Sequence, residues 1–228
     1  IGCRDGLFSF YAEKRGASEI IGIDNDLSKG ATEFLIPYFN SKVKMYQKNL
    51  YDLSEEDYGK FDIIIFVGVL YHLRYPFYSF KKIKEILNKD GKLIIETGVY
   101  LDDNKRAILY CPIEDDSEYE KTSCTFFNIK GLCDSLKSIG IYVEKASIYK
   151  QKIKFRIIKN IIKFFLKLIF RKKYVLGVKT DLLSVHDQHI GSKVGPITRG
   201  IFVSHVNEKL VKEYATNYWD KTHTFHSR

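Results

Sequence analysis

The run Phe61-Asp62-Ile63-Ile64-Ile65-Phe66-Val67 departs from apolar character only at Asp62. A short continuous stretch of β-branched and aromatic residues has no polar side to offer water. It predicts a strand covered on both faces, as in the middle of a parallel sheet. Such a sheet needs helices above and below it, and the flanking sequence supplies them. Helices are predicted over 7–15 and 27–39, with strands at 19–24 and 42–47. After the apolar run, Pro76 suits a first helical turn, and Phe77, Phe80, Ile83 and Leu87 recur at helical spacing. They give a helix over 76–87, closed by the turn Asn88-Lys89-Asp90-Gly91. A strand at 92–97, a polar stretch over 101–125, a helix at 128–138 and strands at 141–147 and 201–206 complete the order. Strands alternating with helices predict a doubly wound, mostly parallel, Rossmann-like α/β sheet, and no internal repeat is present.

At 228 residues the chain is long enough for one such domain with a buried core. With 45% apolar and 29% charged residues it is not an intrinsically disordered chain, and 15 Gly with 4 Pro exclude a collagen-like one. The formal charge of +9 is local: ten Lys and Arg and no acid fall between Lys150 and Lys173, and the remainder is close to neutral. The cysteines Cys3, Cys111, Cys124 and Cys133 form no CxxC pair or repeated spacing. Neither a metal site nor a disulfide framework is expected, and reduced thiols point to a cytoplasmic location. No signal peptide is expected. The opening Ile1-Gly2-Cys3 reads as a turn after a strand, which predicts an amino-terminally truncated domain.

Gly2-Cys3-Arg4-Asp5-Gly6 leads into the first helix, an arrangement in which glycines let a ligand approach the backbone at the carboxyl edge of a strand. In Ile21-Gly22-Ile23-Asp24 an acid ends the second strand, where a carboxylate can accept hydrogen bonds from both hydroxyls of an adenosine ribose. Gly2, Gly6 and Asp24 together imply a nucleoside cofactor. Two other readings stay open. One is a dinucleotide oxidoreductase, although the spacing lacks the GxGxxG fingerprint. In the other the glycines only make a tight turn and Asp24 caps the next helix.

Through GCRDG, GIDND, FDIIIFVGVLYHL and GKLIIETGV the chain resembles class I S-adenosylmethionine-dependent methyltransferases. Val67-Gly68-Val69-Leu70-Tyr71-His72, the Pro76 helix and Glu96-Thr97 resemble the tRNA wobble-uridine carboxymethyltransferase family, which binds carboxy-S-adenosylmethionine. The likeness continues more loosely from Tyr119 to Gly140 and at Pro196-Ile197-Thr198-Arg199. It implies that Gly2 lies beside the amino-acid part of the cofactor, that Asp24, Asn25 and Asp26 surround the ribose, and that Leu50 and Tyr51 flank the adenine. It also implies that Val67 and Tyr71 line the pocket near the sulfonium, and that Tyr71 and Arg199 hold an extra cofactor carboxylate, work suited to a phenol and a guanidinium fork. His72 is a candidate base for the acceptor, or a positional residue. Glu96 at a strand end reads as a solvated edge carboxylate or a substrate contact.

The residues divide into a cofactor-binding core at 1–148, a basic helical insertion at 149–195 and a final strand and tail at 196–228. In the insertion Lys152, Arg156, Lys159, Lys163, Lys167 and Arg171 form a cationic stripe opposite a wide apolar face. This suits an anionic membrane surface, RNA phosphates or a lid packed on the domain. The expected function is a methyl or carboxymethyl transferase, with tRNA as one acceptor. A methyltransferase for a small molecule or a membrane-associated glycan or lipid precursor is an alternative, favoured by Val67, where the family carries methionine. A noncatalytic binding module is another.

Overall fold

The computed structural model describes residues 1–150, 174–175, 178–184 and 196–211. Two parallel strands, β1 (Ile21–Asp24) and β2 (Lys44–Gln47), form one sheet. The larger sheet contains β3 (Phe61–Val67), β4 (Leu87–Tyr100), β5 (Leu109–Tyr110), β6 (Phe126–Phe127), β7 (Ile141–Lys150), β8 (Tyr174–Val175), β9 (Val178–Ser184) and β10 (Ile197–Val206). Its order is β5-β6-β4-β10-β7-β9-β8, and β3 pairs with the amino-terminal part of β4. The two sheets are joined at Ile1–Cys3. The Ile1 nitrogen donates to the Ile65 carbonyl at 2.8 Å, and the Gly2 and Cys3 amides donate to the Ile23 carbonyl at 2.9 and 3.1 Å.

The larger sheet is mixed rather than mostly parallel. β3–β4, β4–β6 and β7–β9 are parallel, whereas β10 lies antiparallel between β4 and β7. The chain enters β10 at the end of the sheet where β4 finishes, so Ile197 lies opposite Tyr100. This reversal carries the start of β10 to the carboxyl edge of β4.

Helix α1 (Leu7–Lys14) follows the glycine loop, and a π-helical turn at Gly30–Leu35 runs into α2 (Ile36–Tyr38). A short α3 (Glu55–Tyr58) precedes β3. In α4 (Pro76–Glu85) Pro76 occupies the first turn, and the spacing of Phe80 and Ile83 buries both fully. In α5 (Ile129–Ser138) Ile129, Leu132, Cys133 and Leu136 form one apolar face, and Asn128 caps the helix by accepting from the Gly131 amide. These faces meet Leu93, Ile95 and Val99 of β4, Ile141 and Val143 of β7 and Phe202 of β10 in one core. A smaller cluster, Tyr71, Phe126 and Ile197, is packed by Tyr100, Tyr110 and Tyr119.

Several expectations need correction. The apolar run is a strand, but only Ile64 and Phe66 are buried, and Ile63 on the opposite face is 60% exposed. With core packing on one side only, burial follows the period of two of an ordinary half-covered strand. The turn at 88–91 lies within β4: pairing passes from Phe61–Leu87 to Ile63–Lys92, so the intervening β4 residues bulge out of register. Where the segment 149–195 is described it is strand rather than helix, because β9 pairs in parallel with β7. The cationic stripe from Lys152 to Arg171 lies outside the described residues. Among the described residues no helix is long and apolar enough to cross a membrane, and no group of three or more His, Cys, Asp or Glu is placed to hold a metal ion.

Candidate functional site

A cavity of about 470 Å³ opens at the carboxyl ends of β1 and β3. That volume lies within the range of about 300–1,000 Å³ usual for small-molecule sites. Four short segments line it: Ile1, Gly2 and Arg4 of the first loop; Ile23 to Asp26; Lys48 to Tyr51; and Val67 to Val69 with His72 and Leu73.

Asp24 organises the first two segments. One carboxylate oxygen accepts from the Arg4 amide and the other from the Asp26 amide, both at 2.9 Å. The carboxylate therefore ties the glycine loop to the end of β1 and does not cap the following helix. Each oxygen can accept a further hydrogen bond, and Asp24 lines the cavity. Gly2 has φ of 72°, and a Cβ there would fall inside contact distance of Val69 Cγ2. The absence of a side chain at Gly2 keeps the backbone against the cavity wall. Asn49 accepts from the Tyr51 amide at 3.0 Å and fixes the turn that presents Leu50 and Tyr51. The Tyr51 hydroxyl accepts from the Tyr75 amide at 3.2 Å.

Eight expected residues, Gly2, Asp24, Asn25, Asp26, Leu50, Tyr51, Val67 and His72, are brought together around this cavity. Gly6 is not among them. It is buried at the start of α1 with φ of 79°, and a Cβ there would clash with Met45 and Phe10, so its glycine serves the turn. Arg4, Lys48 and Asn49 line the cavity without having been singled out in the sequence, since solvated-looking loop residues carry no pattern.

Tyr71 and Arg199 lie just behind the lining. The Tyr71 hydroxyl is 3.7 Å from where a Cβ on the cavity-lining Gly68 would stand. Tyr71 is 5% exposed and accepts from Arg199 Nη2 at 2.9 Å, while Arg199 Nε donates to the Tyr119 hydroxyl at 2.6 Å. Register explains the meeting. Arg199 is directly opposite Gly98, so it shares a face with Glu96 two residues along β4, within reach of a long side chain. Gly98 has no side chain, and the Phe126 ring fills the space, 2.7 Å from the Cβ it lacks. Glu96 is 7% exposed, and its Oε1 lies 3.1 Å from Arg199 Nε. The expectation of a solvated edge carboxylate fails: Glu96 is buried, with the Arg199 side chain of the neighbouring β10 on the same face of the sheet beside it. Tyr119, which no local pattern singled out, completes the cluster.

Burial pushes the Tyr71 phenol up to about 12, against the lowering pull of Arg199. Tyr71 is thus a protonated hydrogen-bonding group at neutral pH, not a base. Burial works against the Arg199 charge, but Glu96 and Tyr119 hold the guanidinium above its ordinary value. His72 is turned to the 101–125 loop. Its Nδ1 lies 3.3 Å from both the carbonyl and the hydroxyl of Thr122, and its Nε2 lies 3.5 Å from Glu120.

The sequence pattern of the family described as "Methyltransferase domain" matches residues 1–146. Among curated proteins, a tRNA U34 carboxymethyltransferase of Helicobacter acinonychis (strain Sheeba) is 31% identical over 142 residues, which are 59% of this chain and 52% of the relative. The protein of the same name from Helicobacter hepaticus is 30% identical over 146 residues, 59% of this chain and 45% of the relative. The chain thus spans about half the length of the curated relatives it matches. Among solved structures, an O-methyltransferase from a polyketide synthase multienzyme of Brevibacillus brevis, in complex with S-adenosyl-L-homocysteine, superposes with a TM-score of 0.56. It is 12% identical and covers 94% of this chain and 69% of its own. The [4+2]-cyclase SpnF superposes equally well, at 0.56 and 14% identity, over 90% of this chain and 73% of its own. The shared fold therefore does not by itself fix the reaction.

Proposed function

The chain belongs to the S-adenosylmethionine-dependent methyltransferase family, and from that premise we propose that it is a carboxymethyltransferase using carboxy-S-adenosylmethionine, with tRNA as acceptor. The observation that carries this reading is the pairing of the half-buried Arg199 with the buried Tyr71, 2.9 Å apart beside Gly68 at the cavity wall. A phenol that keeps its proton and a guanidinium with donors to spare are suited to a carboxylate. The residues present fit an adenosyl sulfonium. Asp24 offers acceptors for two ribose hydroxyls, Leu50 and Tyr51 offer an apolar edge for adenine, and Gly2 leaves backbone exposed to the amino-acid part.

When bound, a sulfonium supplies an electrophilic carbon attached to a good leaving group, so that alignment and exclusion of water are the main demands on the protein. Val67 and Val69 make the wall dry, and Asn25 and Asp26 continue the ribose side of the pocket. His72, engaged with Thr122 and Glu120, holds the 101–125 loop over the cavity edge and serves as a positioning residue. The tRNA acceptor is supported by the relatives' names, and with it a cytoplasmic site of action. The second reading is plain methyl transfer to a small molecule or glycan precursor. It is favoured by Glu96, whose carboxylate already faces Arg199 at 3.1 Å.

Calorimetric titration of the full chain with both cofactors tests the choice. The expected result is tighter binding of carboxy-S-adenosylmethionine, with the preference lost in Arg199→Ala. Equal or tighter binding of S-adenosylmethionine by the wild-type chain overturns the carboxymethyl reading. Binding of either cofactor without turnover on any acceptor would leave a noncatalytic module.

A further inference from the structure

The Glu96 carboxylate lies beside Arg199, Tyr71 and Tyr119, and the roles given above leave it without a task. Among the described residues neither of its oxygens accepts a hydrogen bond, although Oε1 stands 3.1 Å from Arg199 Nε. The single Nε hydrogen is spent on the Tyr119 hydroxyl at 2.6 Å, and Nη2 donates to Tyr71. The two tyrosines therefore orient the guanidinium, and Glu96 contributes charge rather than geometry. A guanidinium matched by a carboxylate at this distance has little net charge to offer a second anion. The Glu96 side chain is only 9% exposed, whereas that of Arg199 keeps 34%, so a ligand can reach the cation but not its counter-charge.

We propose that Glu96 sets how well the site accepts a carboxylated sulfonium: ionised, it cancels Arg199 and disfavours the extra carboxylate; protonated, it frees Arg199 to receive it; S-adenosylmethionine, which lacks that carboxylate, is bound in either state. The proposal rests on the reading of Tyr71 and Arg199 given above. Binding of the carboxylated cofactor then draws a proton from solvent onto Glu96, and binding of S-adenosylmethionine does not. Burial already pushes the Glu96 carboxyl above the usual carboxylate range, against the lowering pull of Arg199 and the nearby Gly68 amide. The other titratable groups facing this cluster are Tyr71 and His72 from the turn after β3, whose rings lie 4.4 Å apart, and Tyr119 and Glu120 from the 101–125 loop. Both phenols are raised by burial and keep their protons at neutral pH.

The test is calorimetric titration of the full chain with each cofactor over a series from acid to mildly alkaline pH, along which the Glu96 carboxyl, raised by its burial, loses its proton later than an exposed carboxyl does. Repeating it in two buffers of different ionisation enthalpy counts the protons taken up. The wild-type chain is expected to lose about tenfold in affinity for the carboxylated cofactor, relative to S-adenosylmethionine, as pH rises. Glu96→Gln, with the charge removed and the shape kept, should bind the carboxylated cofactor about tenfold more tightly at the upper end and lose the pH slope. Its affinity for S-adenosylmethionine should be retained, which also reports that it folds. In His72→Asn the slope should persist, separating Glu96 from the neighbouring imidazole. A Glu96→Gln variant that binds S-adenosylmethionine normally but the carboxylated cofactor more weakly would make Glu96 a positioning residue and overturn the proposal. So would a wild-type ratio of affinities that is the same at every pH. A wild-type preference for S-adenosylmethionine that narrows toward acid would overturn the carboxymethyl reading and uphold this one.

Discussion

Gly2 and Gly16 separate two costs that a glycine can avoid. Both have positive φ, 72° and 91°, which an L side chain adopts with strain. At Gly16 nothing lies within 4 Å of the place a methyl group would take, whereas at Gly2 the methyl would collide with Val69, a β-branched side chain with little rotamer freedom. Gly16→Ala is therefore expected to lose about 1 kcal/mol from backbone strain alone. Gly2→Ala should lose about 1–3 kcal/mol more through overpacking and weaken cofactor binding by displacing the cavity wall. Urea denaturation of the two variants and calorimetry with S-adenosylmethionine check both parts. Equal losses in the two variants would mean that Val69 moves aside at no cost. The place of Gly2 in a glycine loop at the edge of the sheet was legible in the sequence, and the structure puts it on the cavity wall. That of Gly6 was only half legible, because the same residue type serves a turn without touching the cavity.

Asn128 shows how one side chain sets the entrance of an element and the path of a loop. Its Oδ1 accepts from the Gly131 amide at 2.6 Å and from the Ile108 amide at 3.0 Å, and its Nδ2 donates to both Asp102 oxygens and to the Arg106 carbonyl at 2.7 Å. It is fully buried. Asn128→Ala removes a helix cap and leaves the loop groups unpaired, a loss expected at about 2–4 kcal/mol. An unchanged denaturant slope would place the effect in stability rather than in compactness. The helix over 128–138 was readable from its apolar period, because that period and the cap act locally. The loop at 101–108 read only as polar, since its order depends on a partner some twenty residues away in the chain.

At the scale of the molecule, β10 is paired along both edges, with β4 and with β7, whereas β1 and β2 form a sheet of two strands. Hydrogen exchange should therefore be slowest in β4, β7 and β10 and faster in β1 and β2. Addition of S-adenosylmethionine should slow β1 more than β10, because Asp24 and its neighbours line the cavity. Protection that rises equally everywhere would mean that the ligand reports only global stability. The alternation of helices and strands, the Rossmann-like fold and the loop-and-acid pair Gly2 and Asp24 follow from the sequence by itself. Each depends on local periodicity or on a short spacing that local backbone geometry enforces. Whether β3 is covered on one face or two, and whether Glu96 is solvated or buried, were decided only by packing between distant segments. The meeting of Tyr71, Glu96, Tyr119 and Arg199 was decided by the antiparallel register of β10 on β4. That register brings a residue from the far end of the chain to the carboxyl edge of the sheet, and no periodicity within either strand encodes it.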